Sequence, residues 1–255
     1  MDPGLKIGVA GALGRMGRAV TCVIEAREGL AVGGLFGRPG AGGEAVGAVE
    51  EALRACDVII DFSSAAASAD LATRAAARGG PALVIGSTGF SSGEEAAIAE
   101  AARVIAIVKS GNFSLGIAVL AALVEQAAAH LGPEAWDIEV TEAHHRRKLD
   151  APSGTALLLA GAAAKGRGEV LGDVTAPARQ GVGAARREGA IGFSVLRGGG
   201  IVGEHTVVFA AEDEILTLSH SARDRRLFAL GAVRAAAWVA GRAPGLYGMK
   251  DVLGL

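Results

Sequence analysis

The chain has 255 residues, with 25 Lys and Arg against 27 Asp and Glu and 51% hydrophobic side chains. That length can bury a sizeable core, as one large domain or two modest ones. A formal net charge of −2 with both signs interspersed points to neither nucleic acid nor a membrane surface as partner.

Cys22 and Cys56 lie in apolar runs and match neither a disulfide framework nor zinc-ligand spacing, so both read as buried structural thiols. Met1-Asp2-Pro3 leads directly into a strand pattern without a basic-then-apolar export signal. No apolar run reaches the ~18–20 residues needed to cross a bilayer. The expectation is a soluble, cytoplasmic protein.

Leu5 to Ala10 is a short apolar run, the pattern of a strand buried on both faces. Gly11-Ala12-Leu13-Gly14-Arg15-Met16-Gly17 follows, and then an amphipathic stretch of helical period to about Arg27. A strand, a glycine turn and a helix are the context in which such a motif binds a dinucleotide. The glycines let the backbone approach a pyrophosphate, and the helix start supplies N–H groups and positive potential. The spacing is G-x-x-G-x-x-G instead of the usual G-x-G-x-x-G, and a turn that merely packs helix on strand competes with this reading.

Leu30 to Phe36 reads as the second strand. An acid commonly ends this strand and binds the ribose hydroxyls. Here the strand ends in Phe36-Gly37-Arg38-Pro39, with Glu28 before it and Glu44 well beyond. Arg38 is placed to meet a ribose 2′-phosphate, which implies tolerance of, or preference for, NADPH over NADH; a solvated loop cation is the alternative. Val58 to Asp61, Ala82 to Ile85 and Val104 to Val108 read as further strands, separated by helices ending near Arg78 and Ala102. The strands end in polar turns: Phe62-Ser63-Ser64, Gly86-Ser87-Thr88-Gly89-Phe90, and Lys109-Ser110-Gly111-Asn112-Phe113-Ser114. The alternation predicts a parallel sheet with helices on both faces, which binds ligands beyond the carboxyl ends of its strands.

Leu115 to Leu131 is a long apolar helix and Trp136 to Glu142 a strand. That strand delivers Glu142-Ala143-His144-His145-Arg146-Arg147-Lys148-Leu149-Asp150-Ala151-Pro152-Ser153-Gly154-Thr155, whose end opens a helix through Ala164. Gly166 to Glu188 has no clear period and reads as a loop or mobile flap. Ile191 to Arg197, Ile201 to Ala210 and Glu214 to His220 read as strands, the first two joined by Gly198-Gly199-Gly200 as a hairpin turn. Consecutive strands in place of alternation predict a second, α+β domain with a mixed or antiparallel sheet. A helix from about Asp224 to Val239 and a short tail that can return to the first domain close the chain.

Two His, two Arg and a Lys within His144–Lys148 form a dense cationic site. Ser153-Gly154-Thr155 at a helix start is a second anion-binding device. Together they suit a small substrate with two carboxylates, with a histidine and a lysine able to move protons. Arg146 and Arg147 are equally well read as a solvated basic loop. A metal site from Glu142, His144 and His145 is disfavoured, because adjacent histidines lack the usual spacing and the flanking cations oppose a metal ion. No basic stripe with interleaved aromatics extends the patch toward nucleic acid. His205 and His220 read as structural. Short-chain dehydrogenase chemistry needs Tyr-x-x-x-Lys, whereas the single tyrosine, Tyr247, has Asp251 four residues on.

With these residues in place, the chain resembles the 4-hydroxy-tetrahydrodipicolinate reductase (dihydrodipicolinate reductase) family of diaminopimelate and lysine biosynthesis. The resemblance runs through Glu142–Thr155, Gly11–Gly17, Gly86–Phe90, Asn112-Phe113-Ser114 and Val202-Gly203-Glu204-His205-Thr206, and so spans essentially the whole chain. It implies a Rossmann-like doubly wound domain, 1–114 with 224–255, and a substrate-binding and oligomerisation domain, 115–223, in a homotetramer. It implies NADPH and/or NADH as hydride donor to a small dicarboxylate. His144 matches the acid/base position, Lys148 the proton donor, and His145, Gly154 and Thr155 the substrate contacts. Gly11, Ala12, Leu13, Gly14, Arg15, Met16, Gly86, Ser87, Thr88, Ser110, Gly111, Asn112 and Phe113 match cofactor contacts, with Arg38 beside them. Gly37 departs from the family, many of whose members carry an acid there. A reductase of another small dicarboxylate imine, or a non-catalytic dinucleotide sensor, is the alternative.

Overall fold

A computed structural model describes residues 4–37, 48–177, 182–183 and 185–255. The chain divides into two compact units, Met1–Leu115 with Arg226–Leu255, and Gly116–Arg225.

In the first unit, β1 (Leu5–Ala10) leads to α1 (Arg15–Glu25) and β2 (Leu30–Phe36), then α2 (Val49–Ala55). β3 (Val58–Asp61), α3 (Ala65–Ala76), β4 (Ala82–Ile85), α4 (Ser92–Ala101) and β5 (Ala106–Lys109) continue the alternation. The strands are short and rich in Val, Ile and Leu because both faces are covered; β3 and most of β4 are fully buried. Ile59, Leu83, Ile85 and Ile107 share one core cluster with side chains of α2, α3 and α4. α4 starts at a capping box, in which Ser91 Oγ accepts the Glu94 N–H and the Glu94 carboxylate accepts the Ser91 N–H. Cys56 is buried, as the sequence suggests; Cys22 is exposed, because it lies on the solvent side of α1.

In the second unit, α5 (Leu115–His130) precedes β6 (Asp137–His144), α6 (Gly154–Gly166) and the short α7 (Leu171–Val174). β7 (Ile191–Arg197), β8 (Gly203–Ala210) and β9 (Ile215–Ala222) follow. α7 and Thr175, which bridges to Ile191 of β7, lie in the stretch Gly166 to Glu188 read from the sequence as a loop or mobile flap; 178–181 and 184 lie outside the described residues. The sheet order is β7-β6-β8-β9, with β6 parallel to β7 and antiparallel to β8. β7 and β8 are therefore not a hairpin. Strand β6 separates them, and Gly198-Gly199-Gly200 instead crosses its end: Gly198 N–H donates to His144 O (2.9 Å) and Arg146 N–H to Gly199 O (3.3 Å). β6 also runs two residues beyond the predicted Glu142, so His144 is a strand residue. Ile138 and Val140 on its inner face join Leu159, Ala160, Ile191, Val207 and Phe209 in the core.

The chain then re-enters the first unit as α8 (Arg226–Val239), β10 (Gly245–Tyr247) and α9 (Met249–Leu253). β10 extends the parallel sheet, whose order is β10-β5-β4-β3-β1-β2. α8 packs beside α1 over β3, β4 and β5, covering the face opposite α3 and α4. The result is the doubly wound sheet that the alternation predicts, with a mixed four-stranded sheet in the second unit. No helix among the described residues is long and apolar enough to cross a membrane.

Candidate active site

In the first unit, the chain leaves β1 for β2 on one side of the sheet and later returns to β3 on the other, so the turn after β1 sits at the topological switch point. Gly11 has φ +71°, and a Cβ on Gly17 would stand 2.2 Å from Gly11 O. The first turn of α1 thus rests directly on the glycine turn, an approach only glycine allows. Gly14 is the N-cap with no side chain over it, and no acid lies in the first turn. The free N–H groups and positive end of α1 fit the pyrophosphate of a dinucleotide.

Three other turns leave the same edge of the sheet. After β3, the fully buried Asp61 accepts the Ser63 N–H at 2.8 Å and shapes the Phe62–Ser64 turn; burial pushes its carboxyl up from the usual range, against the bonds from Ser63 and Ser68. After β4, Gly86 faces the Phe62 ring, where a Cβ would stand 2.1 Å from a ring carbon. Ser87 is buried and its hydroxyl pairs with Ser68 Oγ at 2.8 Å, while Thr88 is exposed. After β5, Ser110 Oγ donates to Asn112 O (2.7 Å), and Asn112 Oδ1 accepts the Ser114 N–H (2.8 Å). The Phe113 ring is a core side chain, edge-on to Phe62 at 5.7 Å. Of the residues matched to cofactor contacts, Gly11, Gly14, Gly86, Thr88 and Gly111 stand at this edge with backbone or side chain accessible, whereas the side chains of Ser87 and Phe113 are turned inward. Arg38 lies outside the described residues.

In the second unit, the inner face of β6 changes from Ile138 and Val140 to Glu142 and His144, since alternate residues share a face. The Glu142 side chain is 0% exposed and is the hub of the cluster. Its Oε2 lies 2.6 Å from His144 Nδ1 and 2.7 Å from Arg197 Nη1. Its Oε1 accepts from Arg197 Nη2 (2.7 Å) and from the Ser153 N–H (2.9 Å). Burial alone would raise the Glu142 pKa, but the bonds from Arg197, His144 and Ser153 outweigh it and hold the group at about 2. Arg197 reaches it because β7 pairs in parallel with β6, placing Arg197 opposite His144.

Ser153 caps α6, its Oγ accepting the Ala156 N–H at 3.2 Å and lying 3.1 Å from His205 Nε2. The His205 ring stands edge-on to that of His144 at 5.0 Å. Burial first, and then the neighbouring His144, lowers the His205 pKa to about 4, so it is neutral near pH 7. His145 lies 3.1 Å from Arg225 Nη2, and partial burial together with Arg225, Arg147, His144 and Lys148 lowers its proton affinity. Lys148 Nζ pairs with Asp150 Oδ2 at 2.8 Å. Gly154 is exposed at the start of α6, with open space where a Cβ would be. Arg146 and Arg147 are exposed. Among the described residues no group of three or more His, Cys, Asp or Glu is arranged to hold a metal ion.

Tertiary pairing adds Arg197, Arg225 and His205 to the residues that the sequence singles out. Arg197 and Arg225 carry no local motif, and the only sequence signal for them is a charge at the end of a predicted strand or helix. His205 lies within the resembling stretch Val202–Thr206 but shows its contact with His144 only in the sheet register.

Comparison with known proteins bears on the same two regions. Residues 5–113 match the family model described as Dihydrodipicolinate reductase, N-terminus, and residues 116–253 the model described as Dihydrodipicolinate reductase, C-terminus. The chain is 59% identical to the 4-hydroxy-tetrahydrodipicolinate reductase of Caulobacter vibrioides over 254 residues, covering 100% of this chain and 99% of that protein. It is 50% identical to the Rhizobium rhizogenes protein of the same name, covering 100% and 98%. A dipicolinate-bound dihydrodipicolinate reductase from Paenisporosarcina sp. TG-14 shares the fold, with TM-score 0.80 and 21% identity over 97% of this chain and 99% of that one. With the two family models matching residues 5–113 and 116–253 and relatives this similar along their full length, the chain belongs to the dihydrodipicolinate reductase family.

Proposed function

We propose that this protein is an NAD(P)H-dependent reductase that converts 4-hydroxy-tetrahydrodipicolinate to tetrahydrodipicolinate in the cytoplasm, as a step toward diaminopimelate and lysine. One hydride and one proton are added and one water leaves. The observation that carries the reading is the cationic cluster at the end of β6 and the open start of α6 in a chain of this family. His145, Arg225, the Gly154 N–H and Thr155 bind the substrate carboxylates. His144 takes up and returns a proton, and Lys148 donates one as charge changes on the ring. The first unit holds the cofactor through the glycine turn and the turns after β3, β4 and β5, and Arg38 favours NADPH. When bound, the nicotinamide supplies the hydride.

We further assign a homotetramer. The outer face of the second unit's sheet carries Thr141, Ser194, Leu196 and Thr206 around a shallow cavity of about 320 Å³, with Leu196 and Ile215 more than half exposed, and suits packing against other copies. Light scattering that gave a monomer at micromolar concentration would contradict it.

The test of function is NADPH oxidation with substrate made fresh by the preceding synthase. Turnover is expected, with NADPH used more efficiently than NADH. A folded protein that binds NADPH without turnover would favour a dinucleotide sensor instead. Lys148→Ala is expected to lower turnover by about 10²–10⁴-fold, the usual range for a lost general acid, while NADPH binding is kept.

A further inference from the structure

We propose that Glu142 is a positioning residue, whose carboxylate holds the His144 imidazole with Nδ1 as donor and leaves Nε2 as the atom that exchanges a proton with substrate. The proposal rests on the reading of His144 as the acid/base group.

An ionised carboxylate accepts only, with about four lone-pair sites. Those of Glu142 are all taken: two by Arg197, one by the Ser153 N–H and one by His144 Nδ1. A protonated Glu142 would have to surrender one of these bonds, and no water reaches a side chain that is 0% exposed. Nδ1 must therefore carry a proton, and in the neutral ring the lone pair falls on Nε2.

The surroundings keep that ring in place. His205 stands edge-on to it from β8, itself bonded to Ser153. Gly203 lies beside Nε2, where a Cβ would come within 3.1 Å, so glycine leaves the reactive nitrogen its space. Arg197 is fixed in turn by the carbonyls of Asp150 (2.6 Å) and Leu196 (2.8 Å). Orientation thus passes from Arg197 to Glu142 to His144. A carboxylate beside the ring also stabilises the imidazolium that forms when Nε2 takes a proton. The charged or titratable groups placed against it are Glu142 on β6, Arg197 opposite it on β7, His205 edge-on from β8 and His145 next along the chain, and Glu142 is the carboxylate that meets Nδ1.

Two measurements test this. In the wild-type protein, ¹⁵N-edited imidazole spectra, assigned with His144→Asn, should show neutral His144 as the Nδ1–H tautomer; an Nε2–H tautomer overturns the proposal whatever the variants do. Glu142→Gln should bind NADPH with unchanged affinity and lower kcat by about 10²-fold or more with KM little changed. Glu142→Asp should recover part of the loss. If Glu142→Gln keeps the wild-type kcat and KM while His144→Asn loses turnover, the proposal fails alone. If His144→Asn keeps full turnover, the reading beneath it fails.

Discussion

Glu142 and His205 tie the candidate site to stability as well as to chemistry, because both titrate differently in the folded chain and in the unfolded one. His205 takes its proton near 6.5 when unfolded but near 4 when folded. Between those values the unfolded chain binds more protons, so the stability from neutral His205 is complete above pH 6.5 and is lost as pH falls toward 4. The shift corresponds to a loss on the order of 3 kcal/mol, and the lowered proton affinities of His145 and His220 act in the same sense. Glu142, depressed from 4.5 to about 2, contributes stability above pH 4.5 that is lost as pH falls toward 2. Urea unfolding at a series of pH values from 7 to 4 should show the decline, and His205→Gln should flatten it. An equal slope in that variant would contradict the assignment. His144 and Lys148 were legible in the sequence because acids and bases crowd into one short segment. Arg197, 53 residues beyond His144, was not, since a single arginine at a strand end looks like any solvated cation.

Glycine marks the elements that matter most, and its reason differs from place to place. Gly17 is required because α1 sits on the carbonyl of Gly11. Gly17→Ala is expected to force the helix off the turn, with a stability loss of about 1–3 kcal/mol and at least tenfold weaker NADPH binding, read by thermal melting and cofactor titration. Gly161, in the middle of α6, has nothing within 4 Å of a would-be Cβ. Gly161→Ala should therefore stabilise, by about 0.5–1 kcal/mol, which makes it the opposite-sign control. The glycine turn after β1 was readable from its strand-turn-helix context. The Gly198–Gly200 turn was misread as a hairpin because local sequence shows that two strands are joined, not that a third lies between them. Only the register of β6 with both neighbours turns that loop into a cover over the His144–Arg146 backbone.

At the scale of the whole molecule, the proposed function places cofactor chemistry and substrate chemistry in different units, and ligand protection can test that proposal. A ligand at 100 times its Kd stabilises the state it binds by about 2.7 kcal/mol. Hydrogen exchange with NADPH should slow in the turns after β1, β3, β4 and β5, and with a small dicarboxylate analogue of the proposed substrate at 142–155 and around Arg225. NADPH protection confined to the second unit would reverse the assignment. The return of the chain through α8, β10 and α9 matters to the same experiment, because these elements complete the first unit's sheet and cover one of its faces. Their protection should follow the first unit although they lie last in the chain.

By itself the sequence determined the class of the protein: the α/β alternation, the glycine turn at a helix start, the later run of strands, and the polar segment that carries His144 and Lys148. These are local patterns, each set by side-chain periodicity and backbone freedom within a dozen residues. The tertiary structure alone decided that β6 lies between β7 and β8, that Ser87 and Phe113 turn their side chains inward, and that Arg197 and Ser153 meet on Glu142. Such contacts depend on strand register across long stretches of chain, where a shift of one residue would turn every side chain to the other face. The histidine was visible in the sequence, whereas the carboxylate that orients it became meaningful only once the sheet had formed.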